Sequence, residues 1–301
     1  IGIVNLEDPS ASYFIAATKK PVFGYTTFGM AGKAAAETGN NAQPLPEIPE
    51  HTRYLSATNI ASARYGLDFT VETDGENAIF PTGYDPVLPR SRKHIQVQAK
   101  LPGAFNAYNI MAATIAVSSV TGKSFEEILS HTSELKPIKG RMTVIDKGQP
   151  FEVIVDYAHT PSSFETIFPP IRKRCSGRMF CVFGSGGERD LTKRPLQGEI
   201  AARFCDTVVL ADEDPRAEDP VELLKQIAEG SLREGKKLNE NLFIIPDRKK
   251  AIRQTFKMAQ KGDIVLLLGK SHENSIIYKD FVMPYDEISE AEKALEELGY
   301  K

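Results

Sequence analysis

Two runs in the C-terminal half, Thr207-Val-Val-Leu-Ala211 and Ile264-Val-Leu-Leu-Leu268, show no alternation of charged and apolar positions. A strand with one wet face alternates. Strands apolar throughout belong inside a sheet covered on both faces, as in a parallel sheet flanked by helices. Around these two runs, strand patterns at about 142–146, 151–156, 178–183 and 242–245 interleave with helical patterns at about 162–174, 194–204, 219–229, 247–260 and 286–298. Such alternation predicts a doubly wound, mainly parallel α/β domain. Its strands deliver their C-terminal loops to one edge, where ligands bind in sheets of this class.

The first half reads differently. A strand at 1–5, a helix at 9–18 begun by Asp8-Pro9-Ser10 and a strand at 21–27 form a βαβ-like unit. Glu37–Thr52 is polar and rich in Pro and Asn, and Pro81–Pro89 is irregular, so both read as connections. Strands are expected near 53–60, 66–73 and 92–100, then helices near 105–121 and 124–133, the second with a capping-box pattern in Ser124 and Glu127. The pattern breaks across Leu135–Arg141, which divides the chain into domains at 1–137 and 138–301. The chain opens on Ile1, directly in a strand, and reads as an interior cut from a longer protein.

A net charge of -3 over 301 residues supplies no general attraction for nucleic acid or an anionic membrane. No apolar run reaches membrane-spanning length and no signal peptide is visible. Cys175, Cys181 and Cys205 lack metal-ligand spacing and read as reduced thiols, consistent with a cytoplasmic protein. The five histidines are dispersed, which argues against a histidine metal site, and no G-x-S-x-G is present for a hydrolase.

Chemistry-bearing residues gather at strand ends. Val153-Ile-Val-Asp156-Tyr157-Ala-His159-Thr-Pro161 ends a buried strand in polar groups; the alternative is that Asp156 or Thr160 only caps the next helix. Leu101-Pro-Gly-Ala-Phe-Asn106-Ala-Tyr-Asn109 places two amides three positions apart on one helical face, although Asn106 alone could be a cap. Gly140-Arg141 offers a planar fork suited to phosphate, or an ordinary ion pair. Gly184-Ser-Gly-Gly-Glu-Arg189 continues to Lys193-Arg194-Pro195: it can form an anion-binding nest but is neither a Walker P-loop nor G-x-G-x-x-G. Asp212-Glu-Asp-Pro-Arg216 and Gly269-Lys-Ser-His-Glu273 put opposite charges on loops at the same edge, suiting a zwitterionic ligand.

Taken in order and approximate spacing, LPGAFNAYN, GR, VDYAHTP, FGSGGERD with KRP, EDPR and GKSHE resemble the Mur ligase family, over essentially the whole chain. VDYAHTP and GSGGERD resemble most the branch that adds a diamino acid to UDP-N-acetylmuramoyl-L-alanyl-D-glutamate. The resemblance implies the later part of a central ATP-binding domain at 1–137 and a Rossmann-like amino-acid-binding domain at 138–301. It implies ATP and Mg2+ as cofactors, with the UDP-muramoyl dipeptide and diaminopimelate, lysine or ornithine as substrates, in a monomer. The family's P-loop, magnesium-binding glutamate and carbamylated lysine would precede Ile1, so catalytic residues are expected upstream and this chain alone is expected to be inactive. By resemblance, Asn106, Asn109, Arg141, Asp156, Tyr157 and His159 face the nucleotide. Arg189, Glu213, Asp214, Pro215, Arg216, Gly269 and Glu273 face the amino acid. The family's diaminopimelate signature is Asp-Asn-Pro-Arg, against Glu213-Asp214-Pro215-Arg216 here, and the extra carboxylate is expected to favour a ligand ammonium. The rival readings are a folylpolyglutamate-type ligase and a non-catalytic binding module.

Overall fold

The computed structural model describes residues 1–27, 53–73 and 93–301; the connections expected at Glu37–Thr52 and Pro81–Pro89 lie outside the described residues. The chain divides into two compact units, Ile1–Pro137 and Ile138–Lys301.

In the first unit, β1 (Gly2–Asn5), α1 (Ala11–Ala17) and β2 (Val22–Thr26) are followed by β3 (Arg53–Ala63), β4 (Gly66–Thr73) and β5 (Lys93–Ala99). Helices α2 (Asn106–Thr121) and α3 (Phe125–Ser130) complete it. The sheet runs β1-β2-β3-β4-β5, with β1 to β3 parallel and β3 to β5 antiparallel. Alternation on β4 and β5 sends Leu67, Phe69, Val71, Val97 and Ala99 into a core shared with Ala107, Ile110, Met111 and Ile115 of α2. The capping box at α3 forms only by half. Ser124 accepts from the Glu127 N–H, while the Glu127 carboxylate pairs with Lys123.

The second unit begins with β6 (Thr143–Ile145), β7 (Glu152–Asp156), α4 (Pro161–Arg174), β8 (Met179–Phe183), α5 (Lys193–Phe204), β9 (Thr207–Leu210) and α6 (Pro220–Arg233). It continues through β10 (Leu242–Ile244), α7 (Arg248–Met258), β11 (Ile264–Leu268), β12 (Ser275–Ile277), β13 (Val282–Pro284) and α8 (Glu287–Glu297). The main sheet has the order β10-β9-β8-β11-β7-β6, parallel except for β6, which runs antiparallel at the edge.

The uniform apolarity of β9 and β11 now has its cause. Val153, Val155, Phe180, Val182, Val209, Val265 and Leu267 pack with Ala251, Ile252 and Phe256 of α7 and Ala291, Ala294 and Leu295 of α8. The intervening residues Ile154, Cys181, Val208 and Leu266 point to the opposite face and are equally buried. Each fully buried aliphatic or aromatic side chain contributes about 1.5–3 kcal/mol of transfer free energy, so neither face tolerates a charge. Register pairs Leu268 with Asp156 and Phe183 with Leu210, which sets the strand ends along one edge. The short antiparallel β12–β13 hairpin beside that edge was absent from the sequence reading.

Candidate functional site

Asp156 closes β7 and is 4% exposed. Its Oδ2 accepts from the Met142 N–H at 2.8 Å and its Oδ1 from the Ala158 N–H at 2.8 Å. Burial pushes its carboxyl up from the ordinary value, opposed by these two bonds and by Arg141. Asp156 therefore pins the turn that carries Arg141 to the end of β7. The cap of α4 is Thr160, in a reciprocal capping box with Ser163, so the capping alternative applies to Thr160 and not to Asp156.

That turn is strained into place. Gly140 has φ of 76° and Met142 φ of 49°. A Cβ on Gly140 would sit 2.0 Å from Ser271 Oγ, whose hydroxyl donates to the Gly140 carbonyl. The exposed Arg141 guanidinium lies 5.0 Å from the centroid of the Tyr157 ring, and that ring also meets His159 at 4.7 Å and His272 at 4.9 Å. His159 Nδ1 donates to the Tyr157 carbonyl at 2.8 Å, which leaves Nε2 of the neutral ring as an acceptor. One aromatic ring thus gathers three nitrogen-bearing side chains that sequence distance separates.

The glycine-rich loop after β8 owes its composition to close packing. A Cβ on Gly187 would fall 1.9 Å from the Pro215 carbonyl oxygen, and the Gly187 N–H donates to the Asp214 carbonyl at 2.8 Å. Of its basic residues, Arg194 is structural: fully buried, it holds Glu218 at 2.7 and 2.9 Å, Gln226 Oε1 at 2.8 Å and the Gly186 carbonyl at 3.2 Å. Lys193 reaches the His159 carbonyl at 3.4 Å. Arg189 is exposed and has no hydrogen bond or ion pair among the described residues.

The acidic loop after β9 is held from both sides. The Asp214 Oδ1 accepts from Lys270 Nζ at 2.8 Å and from the Ile277 N–H of β12 at 2.9 Å. Lys270, 1% exposed, also reaches Glu273 Oε2 at 2.5 Å, and Tyr157 donates to Glu273 Oε1 at 3.3 Å. The ammonium beside the Asp214 carboxylate belongs to the chain itself. Glu213 is different. Its Oε2 is buried without a hydrogen-bond partner, close to Gly269, where a Cβ would lie 2.7 Å from that oxygen. Desolvation pushes its carboxyl up, against Arg248, Lys193, His159 and Lys270. Arg216, at φ of 56°, is half-buried with an unpartnered Nε, and its N–H donates to the Ile277 carbonyl at 2.9 Å. Pro215 is buried.

Beneath these loops, Arg248 and Glu287 form an ion pair at 2.7 Å with both side chains at 0% exposure. Arg248 also donates to the carbonyls of Leu268 at 2.7 Å and Asp212 at 3.4 Å, tying the ends of β11 and β9 together. Asp212 accepts from the Tyr278 hydroxyl at 2.8 Å, and burial pushes its carboxyl up to about 6, with that hydrogen bond opposing. Neither pair was read from the sequence. For the hairpin a signal existed, since two short apolar runs flank Tyr278-Lys-Asp280. For Arg248 and Glu287, 39 residues apart on two helices, there was none.

In the first unit, Asn106 is the first residue of α2 after an N-cap at Phe105 and donates to the Pro102 carbonyl at 2.7 Å. Asn109 donates to Asn106 Oδ1 at 3.0 Å, so the two amides do share a face. Between them, the Tyr108 hydroxyl donates to Glu7 Oε2 at 2.7 Å, and Glu7 also takes Thr26 and Thr27 at the end of β2. Among the described residues no group of three or more His, Cys, Asp or Glu side chains converges as a metal-ligand set.

Residues 140–271, which contain the loops at 156–160, 184–190 and 212–216 and the start of the loop at 269–273, match the Mur ligase, glutamate ligase domain. Relatives cover the remainder. The UDP-N-acetylmuramyl-tripeptide synthetase of Treponema denticola is 48% identical over 297 residues, spanning 98% of this chain and 50% of that protein. The chain belongs to the Mur ligase family. A second synthetase of this name, from a Roseiflexus species, is 46% identical over 300 residues, covering 100% of this chain and 52% of that Mur ligase. A solved UDP-N-acetylmuramoyl-L-alanyl-D-glutamate--2,6-diaminopimelate ligase superposes with a TM-score of 0.54 at 26% identity, covering 99% of this chain and 53% of its own. The chain spans about half the length of the curated Mur ligases it matches. No described helix is long and apolar enough to cross a membrane.

Proposed function

We propose that the protein carrying this chain is an ATP-dependent amide ligase of peptidoglycan biosynthesis that joins a diamino acid to UDP-N-acetylmuramoyl-L-alanyl-D-glutamate. The observation that carries this reading is the convergence, at the edge of one parallel sheet, of the loops at 156–160, 184–190, 212–216 and 269–273, in a chain 48% identical to a tripeptide synthetase. In this scheme ATP transfers a phosphoryl group to the D-glutamyl carboxylate. The amine of the incoming amino acid attacks the acyl carbon, the C–O bond to phosphate breaks, and phosphate leaves with the bonding electrons while the amine loses a proton. Residues 1–137 are assigned to the ATP-binding domain and 138–301 to the amino-acid-binding domain.

The chain's own groups bind and orient. Asn106 and Asn109 in the first unit, and Arg141, Tyr157 and His159 in the second, are the proposed nucleotide contacts; Asp156 is assigned with them and holds the Arg141 turn. For the amino acid, the unpartnered Glu213 suits an ammonium, while Arg216 and Arg189 suit carboxylates. Gly269 leaves room beside Glu213, Pro215 shapes the loop, and Asp214 and Glu273 border the site through Lys270. Orienting two substrates and stabilising charge are large contributions to such catalysis. ATP consumption by the gene-encoded protein should require both the UDP-muramoyl dipeptide and a diamino acid. Consumption with a folate and glutamate instead would overturn this assignment.

A further inference from the structure

Lys270 sits where a ligand ammonium would otherwise be drawn. Its side chain is 1% exposed, with Nζ 2.8 Å from Asp214 Oδ1 and 2.5 Å from Glu273 Oε2. The two carboxylates come from loops after different strands, β9 and β11, and a third loop joins through the Tyr157 hydroxyl on Glu273. Asp214 is fixed further by the Ile277 N–H, so swinging toward a ligand would give up that bond and its contact with the buried Lys270. Glu213, the neighbouring carboxylate, has an oxygen with no partner at all.

We propose, resting on the ligase reading above, that Lys270 is a positioning and specificity-determining residue. Its ammonium offsets one of the two negative charges of Asp214 and Glu273 and occupies the position between them, so that Glu213, with its unpartnered oxygen, recognises the substrate ammonium and Arg216 and Arg189 remain free for carboxylates. Lys270 thereby limits how much net positive charge the site accepts. Removing the ammonium and keeping both acids creates a vacant cation slot, which a lysine or ornithine side chain, with no distal carboxylate, fills better than diaminopimelate does.

The test compares Lys270→Met, Lys270→Arg and the charge-balanced Lys270→Met/Asp214→Asn in the gene-encoded protein. The readout is the ratio of kcat/KM for lysine or ornithine to kcat/KM for diaminopimelate, with KM for ATP as an internal control. Lys270→Met should raise that ratio about tenfold, the scale of one unit charge gained at close range in a partly wet site. Lys270→Arg and the double variant should return it toward the parent. A purely structural lysine would lower all three rates in proportion, and an unchanged ratio across the series overturns the inference. If the parent ligates no diamino acid, the ligase reading fails by itself. The same ratio is then read from calorimetric binding of lysine, ornithine and diaminopimelate, where equal ratios in all variants overturn the Lys270 role.

Discussion

Glu287→Gln should be the most damaging isosteric change in the second unit. The amide keeps the volume and removes the charge, leaving Arg248 ionised at 0% side-chain exposure. Glu287 holds the guanidinium pKa up against desolvation, and without the acid Arg248 still keeps its proton because an arginine side chain does not deprotonate in proteins, so the charge stays buried without its partner. Two close charge-assisted bonds are lost or weakened, at 2.7 and 2.9 Å. At about 1.5–3 kcal/mol each, their sum agrees with the about 3–5 kcal/mol typical of breaking one partner of a buried ion pair. With a urea dependence of about 2 kcal/mol per molar, the unfolding midpoint should fall by about 1.5–2.5 M. The chain has no tryptophan, so far-UV circular dichroism is the suitable probe. Arg248→Met/Glu287→Leu, which removes both charges and keeps apolar volume, should cost less than the single change. A midpoint shift under about 0.5 M for Glu287→Gln, or an equal loss in the double variant, would refute the uncompensated-charge argument. Because Arg248 also holds the Leu268 and Asp212 carbonyls, the loops after β11 and β9 should loosen with it.

Two further outcomes are expected. The Asp212 carboxyl, pushed up to about 6 by burial, binds more protons folded than unfolded between about pH 4 and 6, so its contribution falls as pH rises through that window, by up to about 3 kcal/mol; Asp212→Asn should flatten this part of the stability-pH curve, and an identical slope in the variant would remove Asp212 as its source. Tyr108→Phe takes one hydroxyl from Glu7 and should destabilise the first unit by about 1–3 kcal/mol and raise KM for ATP without changing KM for the amino acid, whereas an unaltered KM for ATP would separate Tyr108 from the amides beside it.

Most of the architecture was legible in the chain. Continuous apolarity at Thr207–Leu210 and Ile264–Leu268 admits few environments other than the middle of a twice-covered sheet, and parallel strands then oblige their loops to share an edge. The loop motifs were visible too, because polar residues directly after such strands break a strong local pattern. What three dimensions decided was which charges are available. Arg194 and Arg189 look alike five positions apart, yet one is fully buried against Glu218 and the other is exposed. Asp214 and Glu213 are adjacent acids, yet Lys270, 56 residues away, satisfies the first while the second keeps an unpartnered oxygen. Local propensity and periodicity act over a few residues and so are written along the sequence. Neutralisation and desolvation depend on which distant side chains the sheet order brings within about 3–4 Å, and only the folded chain determines that.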